Sequence, residues 1–105
     1  MTSATRVILD PKRASEHVFP PFDFLAKMAP SDVLTSPAIV VTVWSGVDAN
    51  PTAIWDSTFV TAGSIITPGI QNGVPGVIYL LKVSAAAGSK IVVLEGLLAV
   101  LPEGM

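Results

Sequence analysis

Hydrophobic residues in this chain come in short runs of strand length, cut apart by nine prolines and eight glycines that are spread along it rather than pooled. No window keeps apolar residues at a helical spacing for long, whereas alternation and β-branched runs recur between turn signals. Arg6 to Asp10 (RVILD) is a short run closed by Pro11, and the polar PKRASE stretch leads from it into HVFPPFDFL. Pro20-Pro21 removes backbone donors from that second segment, which is therefore expected at a sheet edge or at a bulge. Residues 26–37 have room for a single helical turn. AIVVTVWSG is the clearest strand of the first half and runs into Gly46 and an Asp48-Ala49-Asn50-Pro51 turn.

The second half repeats strand and turn at short intervals. Thr52 to Trp55, Ser57 to Thr61 and Ser64 to Ile70 read as strands, with Ala62-Gly63 permitting a tight reversal and Gln71-Asn72-Gly73 a turn that tolerates positive φ. In Gly76 to Ala85, Tyr79, Leu81 and Val83 share one face while Lys82 and Ser84 take the other. Lys90 to Leu101 closes the chain before Pro102. About seven strands at such spacing predict an all-β, two-sheet Greek-key sandwich. Its expected organisation is an extended N-terminal arm over 1–14 and one β-sandwich domain over 15–105.

The last segment is apolar whichever way its side chains point. Ile91, Val93, Leu97, Ala99 and Leu101 share one parity and Val92, Leu94, Leu98 and Val100 the other, unless a bulge at Gly96 swaps the register. A small sandwich normally wets one side of each strand, so a strand apolar on both sides implies a second covering layer. The cover could be the chain's own N-terminal arm or a neighbouring subunit. Composition favours the neighbour: of 105 residues 50% are hydrophobic and only 13% charged, about half the charge of an ordinary soluble protein. Mean hydropathy is +0.64, yet no apolar run approaches the roughly 20 residues of a bilayer span, so no membrane partner is expected. The opening stretch shows no secretory signal, and the expectation is a protein used without export.

A formal net charge of -2 with six Lys and Arg in all leaves no basic stripe, which argues against direct contact with nucleic acid. The absence of cysteine excludes disulfides and thiolate metal sites. The one histidine, His17, adjoins Glu16 in an extended segment where neighbours face opposite ways, so it reads as a surface residue. The five aspartates, Asp10, Asp23, Asp32, Asp48 and Asp56, are isolated beside prolines, serines or turns, and their expected work is to bond local backbone amides. Asp48 and Asn50 look like the opening of a calcium loop, but the later oxygen ligands and closing glutamate are missing. No constellation assigns a reaction, so no catalytic, metal or cofactor residues are expected and the chain reads as a non-enzyme. Trp44, which closes an apolar strand, is expected to plug the core. Trp55, in a less hydrophobic segment, is the tryptophan expected to be exposed, and with the Asp48 to Pro51 loop it would suit a glycan- or peptide-binding module.

Val74-Pro75-Gly76-Val77-Ile78-Tyr79-Leu80-Leu81-Lys82-Val83-Ser84-Ala85 resembles the P-G-x-x-Y-x-V-x-V-x-A stretch of fibronectin type III domains. The resemblance implies a tyrosine corner, with the Tyr79 hydroxyl bonding backbone upstream, and an immunoglobulin-like fold without its disulfide. VFPPFDFL, DVLTSPAIVVTVWSGVDANPTAI and GIQNGVPGVIYLLKVSAAAGSKIVVLEGLLAV are together similar to small structural proteins of tailed bacteriophages, of the fiber-tail adaptor kind. Pro20-Pro21 departs from the pattern of that group. This likeness implies a non-enzymatic virion component in symmetric copies, homo-oligomeric or in contact with tail, portal-proximal, fiber or capsid subunits. An adaptor between tail and fibers and a capsid cement protein are the two roles it leaves open.

Overall fold

A computed structural model describes residues 6–102. Among them the backbone forms β1 (Arg6–Ile8), β2 (Lys12–Arg13), β3 (Phe22–Asp23), β4 (Leu34–Ser45), β5 (Trp55–Ala62), β6 (Ile65–Ile70), β7 (Ile78–Ala87) and β8 (Lys90–Leu101), with 3-10 turns at Leu25–Lys27 and Pro51–Ile54. The expected strand at Thr52 to Trp55 is corrected: Pro51 presets the helical φ of a 3-10 turn there, and Trp55 instead begins β5. The chain is all-β and folds as two sheets. The larger has the order β1-β8-β7-β4, with β2 also on β8, and the smaller has the order β3-β6-β5.

The β7–β8 hairpin is the backbone of the larger sheet. Its register runs unbroken from Ile78 opposite Ala99 to Ala87 opposite Lys90, closed by Gly88-Ser89 with Gly88 at φ 63°. No bulge occurs at Gly96, so the side chains of β8 alternate strictly: Val92, Leu98 and Val100 are buried, and their neighbours point away from the core. On β7 the same period buries Tyr79, Leu81, Val83, Ala85 and Ala87 and leaves Lys82 exposed. Phe22, Phe24, Ile66 and Ile70 meet these residues from the smaller sheet and complete one contiguous core.

Pro20-Pro21 sits where the sequence expects an interruption. Val18 bridges to Ile70 and Phe22 pairs with Ile66, both antiparallel, and the ladder skips the prolines between them on the edge of the smaller sheet.

Of the arm, residues 1–5 lie outside the described residues. The rest pairs edge-on with β8 in parallel, Arg6 to Ile8 against Glu95 to Leu97 and Lys12-Arg13 against Val100-Leu101. Leu9 donates its amide to the Leu97 carbonyl at 2.9 Å and lays its side chain over Gly96. A Cβ at Gly96 would come within 2.9 Å of Leu9 Cδ1 and 3.2 Å of the Phe22 ring, so the glycine serves as a notch for the arm.

Gly96→Ala is expected to cost about 1–3 kcal/mol by crowding that notch, measured as a lower urea midpoint with unchanged m-value. A loss under about half a kcal/mol would show that the notch does not hold the arm.

Candidate interaction surface

Strict alternation leaves the outer face of the larger sheet with little besides apolar side chains. Register sets Thr42, Leu80, Leu97 and Ile8 in one row across β4, β7, β8 and β1, and places Val40, Lys82, Glu95 and Arg6 in the next. Ile8 is 79% exposed, Ile91 69%, Val40 56% and Trp44 51%. Lys82 and Glu95 stand directly opposite each other, so the ionisable groups in the middle of this face carry opposite signs. The arm runs alongside β8 rather than across it, so the described residues of the arm are not the covering layer.

The smaller sheet turns a different chemistry outward. Asp56 accepts hydrogen bonds from the Thr58 amide at 2.9 Å and the Thr58 hydroxyl at 2.5 Å, and its other oxygen lies 2.6 Å from His17 Nε2. Gly69 leaves room for this carboxylate, which a Cβ there would strike. The His17 ring stacks on Phe19 with centroids 4.8 Å apart. Asp23 accepts from the Leu25 amide and the Ser64 hydroxyl. These donors hold both carboxyls below the usual carboxylate range: the Thr58 hydroxyl chiefly for Asp56, with His17 adding to it, and the Ser64 hydroxyl chiefly for Asp23. Asp23 is exposed and Asp56 largely covered by its partners, and both are self-satisfied; beside them Phe19 and Val60 are exposed.

Two polar ties brace the molecule between the faces. The Tyr79 ring is wholly buried and its hydroxyl accepts from the Val74 amide at 2.8 Å, upstream along the chain as a tyrosine corner requires. The same hydroxyl donates to Asp48 Oδ2 at 2.7 Å, while Asp48 Oδ1 accepts from the Asn50 amide at 2.9 Å. Both oxygens of Asp48, read in the sequence beside a truncated calcium loop, are thus spent inside the protein. Burial first, and the Asp48 carboxylate second, push the Tyr79 hydroxyl up to about 12; the Tyr79 hydroxyl in turn holds the Asp48 carboxyl down.

The second tie is Lys12, the one buried charged side chain among the described residues. Its Nζ donates to the Arg13 carbonyl at 2.7 Å and to the Asn72 carbonyl in the turn whose Asn72 and Gly73 both adopt positive φ. Burial pushes the ammonium pKa down, and nearby Glu16 opposes that shift. Nothing in PKRASE announces it, because a lysine beside proline in a polar stretch reads as solvated.

Two expectations are corrected. Trp44 does not plug the core: it is half exposed and shares parity with exposed Val40 and Thr42, while Val41 of the opposite parity is buried. Trp55 is the tryptophan packed against the core, tilted on Phe59 at 5.0 Å and donating Nε1 to the Thr58 carbonyl. The exposed tryptophan therefore lies on the apolar sheet face and not beside Asp56.

The aspartates perform the local work read from the sequence. Asp23, Asp32, Asp48 and Asp56 each accept a nearby backbone amide. Among the described residues no group of three or more His, Asp or Glu is placed to hold a metal ion, and no helix is long and apolar enough to cross a membrane. No protein-family model matches the chain, and neither a curated protein nor a solved structure matches it.

Tyr79→Phe is expected to cost about 1–3 kcal/mol, since the Val74 amide and Asp48 both lose a partner. Tyr79 is the single tyrosine of the chain, so ultraviolet titration reports it alone. Its phenolate should form near pH 12 in the folded protein and near 10 in urea. The folded state holds this proton more tightly than the unfolded chain, so the stability it contributes is whole below pH 10 and is lost as pH rises toward 12. A folded-state titration near 10 would show that the hydroxyl is neither buried nor paired.

Proposed function

We propose that this chain is a non-enzymatic structural virion protein of a tailed phage, an adaptor that links tail and fibers through symmetric contacts with neighbouring virion subunits. The observation that carries the reading is the outer face of the five-stranded sheet, where Ile8, Val40, Trp44 and Ile91 are exposed around Lys82 and Glu95, which the register sets opposite each other. Exposed apolar surface of this kind marks an interface. The opposed charges at its centre suit a partner that presents an apolar patch with a matching ion pair, which would fix register more than affinity.

The fold we assign to it is an immunoglobulin-like Greek-key sandwich. Parallel pairing of the first strands with the last, the split of the remaining strands between two sheets, and the Tyr79 hydrogen bond to upstream backbone support that assignment. Full burial of one large apolar side chain is worth about 1.5–3 kcal/mol, so three partly exposed aliphatic residues and a half-exposed tryptophan offer only several kcal/mol. Association itself costs an estimated 4–15 kcal/mol, so a single contact of this size is weak. Many copies around a symmetric particle multiply it, which is the setting in which so small a face serves.

Purified chain added to tailed-phage particles that lack it should co-sediment with them, and Ile91→Lys should weaken binding by about tenfold or more by placing an unpaired charge in the interface. Binding indifferent to Ile91→Lys would remove the docking face, and absence of binding would remove the virion role.

A further inference from the structure

A sheet edge offers unpaired backbone donors and acceptors to any extended chain, and folded proteins ordinarily blunt or cover it. Three edges of this sandwich are managed. On the larger sheet the edge beyond β8 is made of β1 and β2, strands of only three and two residues, too short to template a long pairing. On the smaller sheet β3 follows the ladder break at Pro20-Pro21, while β5 is kinked at Ser57, with φ 71° and a register shift between Trp55 and Phe59, and carries Asp56. The fourth edge is β4. Its irregularities lie toward the ends, at Ser36 (φ 52°) and Pro37 between Thr35 and Ala38 and again between Val43 and Ser45, and between them Ala38 to Val43 pairs with β7 without a shift. That stretch reads AIVVTV, with no ionisable side chain and no proline.

We propose that β4 is a pairing edge for a second copy of this chain, the two strands joining antiparallel through Ala38 to Val43 about a two-fold axis. The occupant follows from the strand's own composition. Two-fold pairing sets each residue against residues of the same strand, and all of β4, Leu34–Ser45, lacks an ionisable group, so no like charges meet. Val40, Val41 and Thr42 are β-branched and suit cross-strand contact. The bulged ends limit the pairing to the middle of the strand and so limit its register.

The product is one sheet running from the β1 of one copy to the β1 of the other. Val40 and Trp44 lie at the seam, so the exposed apolar faces of the two copies become continuous. This pairing is independent of the virion role and uses a different surface, the strand edge instead of the sheet face.

A pairing edge of six residues is a small interface, so sedimentation should be run at concentrations up to about 1 mM, the weak end of measurable association. The wild-type chain should shift from 10.9 kDa toward twice that mass. Thr42→Lys, at an exposed edge position, should hold it at the monomer mass, while Ile91→Lys, on the far side of the same face, should leave the dimer intact. Because the chain has no cysteine, spin labels on Ala38→Cys, Val40→Cys and Thr42→Cys are each unique. Label separation should be least nearest the axis and grow by about 7 Å per residue away from it, twice the strand rise. A wild type that stays monomeric overturns the proposal, as it would if a foreign segment were the occupant. A dimer dispersed by Ile91→Lys but not by Thr42→Lys, or labels without that steep dependence, overturns it equally.

Discussion

Side chains alternate across β8 without a slip, so a strand apolar at almost every position must turn half of its apolar surface away from the core. The constraint is geometric: the hairpin with β7 holds register from end to end, and a period of two admits no intermediate placement. Val92, Leu98 and Val100 take the inner side, while Ile91, Val93 and Leu97 point outward, Ile91 exposed, Val93 half-buried and Leu97 half-buried beside the arm's Ile8. A bulge at Gly96 would have broken this pattern. The glycine is used instead as a notch for Leu9, which keeps β8 straight and the arm at its edge.

The two outer faces divide the work of the surface. The smaller sheet spends its carboxylates on its own hydroxyls, amides and histidine, a self-satisfied arrangement. The larger sheet offers apolar area and, in one central row, Glu95 set between Lys82 and Arg6 by the register. Its free edge is the least defended in the molecule, and edge and face adjoin at β4, so association through one would extend the other. A chain with 13% charged residues has few means of keeping both in water alone.

Polar ties inside the sandwich position the segments that alternation leaves free. Tyr79 reaches from the core to Val74 and Asp48, holding the loop after β4 against the approach to β7. Lys12 fastens the arm to the Asn72 turn by donating to carbonyls, so the arm rests on more than its few ladder bonds. A buried ammonium is costly unless its donors are used, and here both recorded acceptors are backbone oxygens.

Much of this could be read along the chain. Alternation in β7, the positive φ at Asn72 and Gly73, the span of the last strand, the edge position of the Pro20-Pro21 segment and the local work of four aspartates all follow from interactions between near neighbours in sequence. The tyrosine hydrogen bond was legible too, because a corner bonds backbone only a few residues upstream. The inverted tryptophans, the buried Lys12, the Asp48 partner of Tyr79, the His17 contact with Asp56 and the Gly96 notch were not. Each joins segments far apart in the chain, or turns on which parity of β4 faces the core, and only the pairing of strands settles that. Periodicity determined that these strands would carry apolar residues on both sides; the tertiary structure decided which side was left open, because burial is a property of what lies across from a residue and not of the residue itself.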